Sequence, residues 1–168
     1  GGSGDAYSST MQMAFDAGVV LVAAAGNNSS SKRSYPAAYP QIISVAAFDA
    51  SEKLASFSNF GPWVDVAAPG VSILSTLPGN SYASWNGTSM ATPHVTGLAG
   101  LLLSAHPDYD NKQIHWLLRH QGKTLPDLES SFYPGFTRID AKQALSYAGR
   151  PPSIEAELSG VSWQGAFN

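Results

Sequence analysis

Val19-Val20-Leu21-Val22-Ala23-Ala24-Ala25, closed by Gly26-Asn27-Asn28, decides the fold class. An unbroken apolar run ended by turn formers predicts a strand buried on both faces, as in a parallel sheet covered by helices. Ile42–Phe48 has the same character, and residues 64–67 read as a third strand before the Pro69-Gly70 turn. Residues 71–76 and 82–85 are expected to pair around Pro78-Gly79-Asn80. Between the strands lie helical stretches. Residues 8–17 put Met11, Ala14 and Phe15 on one face, with Gly18 as the stop. Thr88–Ala105 is a long apolar helix with Pro93 in its first turns. Gly97 and Gly100 inside it cost about 1 kcal/mol each relative to Ala, which makes sense if the helix packs closely on the sheet. Asn111–His120, capped by Asp110 or Asn111, and residues 141–148 complete the set. Alternating strands and helices imply an α/β fold: three layers, a mostly parallel sheet with helices on both faces.

The 168 residues suit one domain or a large part of one. An intact chain of this length buries roughly 70% of its unfolded surface. Net charge is −3 without basic runs, which argues against nucleic acid and anionic membranes as partners. No apolar run approaches the ~20 residues of a membrane span. Cysteine is absent, so neither disulfides nor thiolate metal sites form. Residues 1–149 read as the domain. Arg150-Pro151-Pro152 reads as a linker, and residues 154–168 as a tail or the start of a further segment.

Gly87-Thr88-Ser89-Met90-Ala91-Thr92-Pro93-His94 places a serine between a glycine turn and an apolar helix. Unpaired N–H groups at a helix start favour developing negative charge, which suits a nucleophile whose attack creates an oxyanion. A lone serine there is ordinarily an N-cap. Asn27 directly follows a buried strand, and strand C-terminal ends line the crevices of open α/β sheets. Its ordinary role would be an Asx turn. His94 lies five residues past Ser89, which sets the two side chains ~140° apart on the helix and removes it as a base for Ser89. It reads as a packed residue. His106, His115 and His120 read as solvated helix faces or ends.

The octapeptide resembles the catalytic-serine motif of the subtilisin-like serine peptidases. Further segments are similar to that family: Ala23-Ala24-Ala25-Gly26-Asn27, Tyr35-Pro36-Ala37-Ala38-Tyr39-Pro40, Ala55-Ser56-Phe57-Ser58-Asn59-Phe60-Gly61, Asp65-Val66-Ala67-Ala68-Pro69-Gly70-Val71, Ser130-Phe132-Tyr133 and Ile139-Asp140-Ala141. The resemblance covers about residues 1–149. It implies a serine endopeptidase with Ser89 as acylating nucleophile and Asn27 donating in the oxyanion hole. It implies Ala24, Ala25 and Gly26 as a wall of the pocket for the residue before the scissile bond. Ser34 is then near that pocket's floor, and Asn86 and Thr88 support the oxyanion and leaving-group side. Met90 matches an oxidation-sensitive position. Small walls imply a preference for large apolar residues. Backbone carbonyls of Ala37, Tyr39 and Ile42, with the Asp65 carboxylate, are the expected ligands of a structural Ca²⁺ or monovalent cation. No cofactor is required for the chemistry. Expected partners are a peptide or protein substrate and a propeptide or protein inhibitor; secretion and zymogen processing come with the family.

The family orders its triad Asp, His, Ser. None of Asp5, Asp16, Asp49, Asp65, Asp108, Asp110, Asp127 or Asp140 stands in its aspartate motif, and no histidine stands in its histidine motif. The chain therefore reads as the C-terminal portion of the domain, with the catalytic Asp and His expected from an N-terminal segment or partner chain. A non-catalytic pseudo-peptidase subunit is the rival. An esterase-type hydrolase is disfavoured because no G-x-S-x-G elbow surrounds Ser89. An uncovered parallel sheet would leave an edge and an apolar face open. The pure 168-residue chain is thus predicted to lack a cooperative thermal transition by calorimetry; a sharp one contradicts this.

Overall fold

The structure, a computed structural model, describes residues 5–125 and 136–152. Residues 1–4, the Ser130-Phe132-Tyr133 match and the 154–168 tail lie outside the described residues. The elements are α1 (Asp5–Asp16), β1 (Leu21–Ala24), β2 (Ile42–Phe48), β3 (Val66–Pro69), β4 (Ile73–Leu77), β5 (Ser81–Trp85), α2 (Thr88–Ala105), α3 (Asn111–His120), β6 (Gly122–Lys123), β7 (Thr137–Ile139) and α4 (Ala141–Leu145). The sheet runs β1-β2-β3-β7-β6, parallel except for the last pair. β4 and β5 form a separate antiparallel hairpin, with Leu77 opposite Ser81.

The alternation of β2 explains the layering. Ile43, Val45 and Ala47 face α2 and α3, joining Val95, Leu98, Leu102, Ile114, Leu117 and Leu118 in the main core. Ala46 and Phe48 face the other way and pack with Val64, Ala67, Leu125 and Phe136. Every β2 residue is buried, as expected of a central parallel strand.

Local chemistry sets the helix ends. At the end of α1, Gly18 N–H bonds Phe15 O (2.9 Å) and Val19 N–H bonds Ala14 O (3.1 Å), the paired bonds of a Schellman stop. Asp110 caps α3 in a reciprocal box with Gln113. The neighbouring candidate, Asn111, is instead buried, and its Nδ2 donates to Phe15 O (2.7 Å) and Val19 O (3.2 Å). One side chain thus binds a carbonyl at the end of α1 and one in the turn after it, and fastens that helix to α3. Beyond α4, Gln113 Nε2 donates to Pro151 O (3.0 Å), Tyr109 Oη donates to Gly149 O (3.1 Å), and Arg150 pairs with Asp108 (3.6 Å). The segment expected as a linker is docked as far as Pro151.

Several expectations are corrected. β1 is half-buried rather than covered on both faces, because it is the sheet's edge and pairs with β2 alone among the described residues. β3 begins two residues late, since Asp65 is held by Ser44. Gly97 and Gly100 do not face the sheet; a Cβ at either meets nothing within 4 Å. α4 stops at Leu145 rather than 148, where Ser146 Oγ turns back onto Lys142 O (2.7 Å). His94 is exposed, not packed.

His115 is fully buried, edge-on to Phe15 at 5.4 Å between ring centroids, rather than solvated. Burial, reinforced by the Arg119 charge, holds it down to about 3. The unfolded chain takes up this proton near 6.5, whereas the folded chain refuses it until about pH 3. Its contribution to stability is therefore intact above pH 6.5 and erodes by about 1.4 kcal/mol per pH unit as pH falls through that window. His115→Leu is expected to flatten the fall of the purified protein's thermal midpoint between pH 6.5 and 4; parallel curves for the two proteins contradict this.

Candidate active site

Ser89 stands exposed in the first turn of α2. The turn before it is seated on the sheet: Gly87 N–H bonds Gly70 O at 2.8 Å. Only glycine fits at 70, because a Cβ there would lie 2.5 Å from Ala47 Cβ and 2.8 Å from Gly87 O. The Gly87 carbonyl accepts from Met90 (3.0 Å) and Ala91 (3.3 Å), and Thr88 N–H donates to Asn27 Oδ1 (2.9 Å). Of this first turn, the Ser89 N–H alone has no acceptor among the described residues. It lies beside its own hydroxyl, at the positive end of the helix.

Asn27 is held by one end. Its Oδ1 accepts both the N–H and the Oγ1–H of Thr88, each at 2.9 Å. Thr88 Oγ1 in turn accepts the Gly26 N–H at 3.1 Å. With Oδ1 occupied, Nδ2 is the end left to the crevice, 3.5 Å from where a Cβ on Gly87 would stand. Thr88 is fully buried, so the tie is shielded from water. The structure thus brings Ser89, Asn27, Thr88 and Gly26 together.

The loop after Asn27 is fixed by a residue to which the sequence reading gave no role of its own. Asn59, buried, donates Nδ2 to Ala25 O (2.9 Å) and accepts the N–H groups of Asn28 (2.9 Å) and Ser30 (3.2 Å) on Oδ1. Its own N–H reaches Gly26 O (2.8 Å). Gly26 has φ +107°, and a Cβ there would lie 2.6 Å from Asn59 Nδ2. In sequence, Asn59 stands out only as a member of the family-like segment Ala55–Gly61. Its bonding pattern appears only once 26 and 59 are adjacent.

The remaining candidates divide. Ala24 lines an open cleft of about 430 Å³ with Val22, Ala23, Ser89, Thr92, Pro93 and Thr96. The Ala25 side chain is fully buried in the second cluster and is not a crevice surface. Ser34 Oγ lies 3.6 Å from the Cβ position of Gly26, beside the strand end. Asn86 Oδ1 is taken by the Ser72 N–H (2.7 Å), serving the turn before β4, where Ser72 has φ +56°. His94 Nδ1 lies 3.0 Å from Met90 O, within its own helix. No described side chain hydrogen-bonds the Ser89 hydroxyl.

The Asp65 carboxylate, one of the four expected cation ligands, is engaged by protein groups. Asp65 Oδ1 pairs with Arg119 (2.6 Å), and its Oδ2 accepts from Ser44 N–H (2.8 Å) and Oγ–H (3.0 Å). Burial raises this carboxyl while Arg119 and Ser44 pull it back. The Tyr39 carbonyl accepts the Ile42 N–H (3.0 Å). Among the described residues no group of three or more His, Asp or Glu is placed to hold a metal ion.

Residues 1–137 match the Subtilase family. This chain belongs to that family. It is 48% identical over 143 residues to subtilisin amylosacchariticus of Bacillus subtilis subsp. amylosacchariticus, covering 83% of this chain and 37% of the relative. It is 47% identical over 143 residues to a subtilisin of Bacillus pumilus, covering 83% and 51%. Among solved structures, a protease of Pseudoalteromonas arctica aligns with TM-score 0.80 and 29% identity over 87% of this chain and 48% of its own. The prenylagaramide maturation protease PagA aligns with TM-score 0.78 and 27% identity over 86% and 56%. This subtilase chain thus spans about a third to a half of those relatives' lengths.

Thr88→Val keeps the volume of the tie but removes its hydroxyl. The Gly26 N–H loses its acceptor and Asn27 loses one of its two anchors, an effect of about 1 kcal/mol or more. Were Ser89 to act as a nucleophile, turnover of the full-length protein would fall by roughly tenfold with KM little changed, on the same reasoning. A kcat equal to wild type contradicts the tie.

Proposed function

We propose that this subtilase chain is the C-terminal portion of a serine endopeptidase domain, in which Ser89 is the acylating nucleophile. The observation that carries this reading is the pair of uncommitted donors, Ser89 N–H and Asn27 Nδ2, at a helix start beside an exposed hydroxyl. Ser89 Oγ attacks the scissile carbonyl carbon, and the carbonyl π electrons move to oxygen. The two donors receive that charge. Collapse of the tetrahedral species expels the amine and leaves an ester on Ser89, which water then hydrolyses.

A base must take the Ser89 proton and return it to the leaving amine. Its histidine, with the orienting aspartate, comes in this reading from a segment that covers the cleft between β1 and α2. Three features support that. The β1 edge is unpaired on one side among the described residues. α2 carries Leu101 and Leu103 exposed at 55% and 39% on a helix apolar nearly all round, a pattern that ordinarily signals burial on every side. Gly97 and Gly100 leave open space in which another backbone can approach closely. The substrate binds as an added strand, with the residue before the scissile bond beside Ala24, Gly26 and Ser34. The chemistry needs no cofactor, and the protein is proposed to be secreted. Among the described residues no helix is long and apolar enough to cross a membrane.

Intact-mass measurement of the purified protein with a fluorophosphonate tests this. The expected outcome is one adduct on Ser89, lost in Ser89→Ala, in a sample that holds the segment bearing His and Asp. That segment present without an adduct favours the pseudo-peptidase reading, since no described group activates Ser89.

A further inference from the structure

The crevice wall has an uneven charge. Between Asp16 and Asp49 the sequence contains no carboxylate, and Lys32 and Arg33 are its charged side chains there. Between Asp65 and Asp108 there is no Asp, Glu, Lys or Arg at all. Those two stretches supply β1, the Asn27 loop, the β4–β5 hairpin and α2, so everything described around Ser89 is neutral except that cation pair and His94.

The pair is exposed and held by a fixed loop. Ser29 N–H bonds Phe57 O (2.9 Å), Phe60 N–H bonds Ser30 O (3.1 Å), and Trp63 Nε1 bonds Ser31 O (2.8 Å). Asn59 holds Asn28 and Ser30, and Lys32 N–H bonds Ser30 Oγ (3.1 Å). The next residue, Ser34, abuts Gly26 at the strand end. Arg33 is therefore one residue from the wall of the pocket that takes the residue before the scissile bond.

Among the described residues no carboxylate pairs with Lys32 or Arg33. Asp65 pairs with Arg119, Glu52 with Arg138, Asp108 with Arg150 and Asp140 with Lys123. Asp49 and Asp110 cap their own turns, and Asp16 accepts from Gln12. We propose that Lys32 and Arg33 are specificity-determining residues that select peptide substrates carrying an acidic side chain on the N-terminal side of the scissile bond. This rests on the endopeptidase reading above. It leaves the small-walled pocket free to take an apolar residue, with the acidic group meeting the cationic rim.

Two unit charges about 8 Å from a substrate carboxylate, screened as in water, favour it roughly fivefold over the neutral amide. The test uses the full-length protein and peptide pairs identical except for Glu or Gln, scanned through each position N-terminal to the scissile bond. At one or more positions the Glu/Gln ratio in kcat/KM is expected to be about fivefold at low ionic strength, from the same estimate. It should fall toward unity in about 1 M salt, where the Debye length is near 3 Å. The ratio should drop to unity in Lys32→Ser/Arg33→Ser and invert in Lys32→Glu/Arg33→Glu. A ratio of one or less at every position in the wild type, or one unmoved by the variants, overturns the proposal while leaving the peptidase intact. Absence of cleavage of every peptide together with an unlabelled Ser89 overturns both.

Discussion

The bond pair between Asn27 Oδ1 and Thr88 is the constraint on which this site depends. Asn27 ends the edge strand of the sheet, and Thr88 opens the helix that carries the serine. Sixty-one residues separate them in sequence, so the tie fixes two elements that local chemistry orients independently. It also decides which end of the Asn27 amide is available. An amide whose oxygen is claimed twice presents its nitrogen elsewhere, and here that is the crevice side of the Gly87 turn. Because Thr88 is buried, the arrangement operates without water competing for its bonds.

Around this tie the sheet behaves as a template. Gly70 lets the Gly87 turn rest against β2, and Asn59 clasps the strand end from the far side. Both work through backbone groups, so they fix the position of the main chain that bears the candidate donors. A site that must receive negative charge is served by donors that do not reorganise when the charge arrives.

Just before β3, Asp65 links Ser44 of the inner strand β2 to Arg119 of α3. Asp65, which the family resemblance assigns to a cation, pairs here with Arg119. The same Arg119 charge helps keep the buried His115 neutral. These contacts, with the Phe15–His115 ring pair, connect α1, β2, the start of β3 and α3.

Much of this was legible in the sequence. Unbroken apolar runs gave β2 and the α/β class, because burial on both faces of a parallel strand leaves no alternation to disguise it. Thr88–Ala105 was read to its ends, since a glycine turn and a polar stop bracket it. Ser89 and Asn27 were legible because short motifs carry their own local geometry. What tertiary structure alone decided was contact across long separations. Ala25 looks like its crevice neighbours in sequence but belongs to a core, because Ala46, Val64 and Ala67 from later strands and loops close over it. His115 looks like any polar residue on a helix until Phe15 closes over it. Nothing near Asp65 in the sequence announces Arg119, which reaches it from 54 positions further along the chain. Residue type specifies what a group can do; only the fold determines which partner reaches it first, because desolvation and pairing depend on neighbours the chain brings from afar.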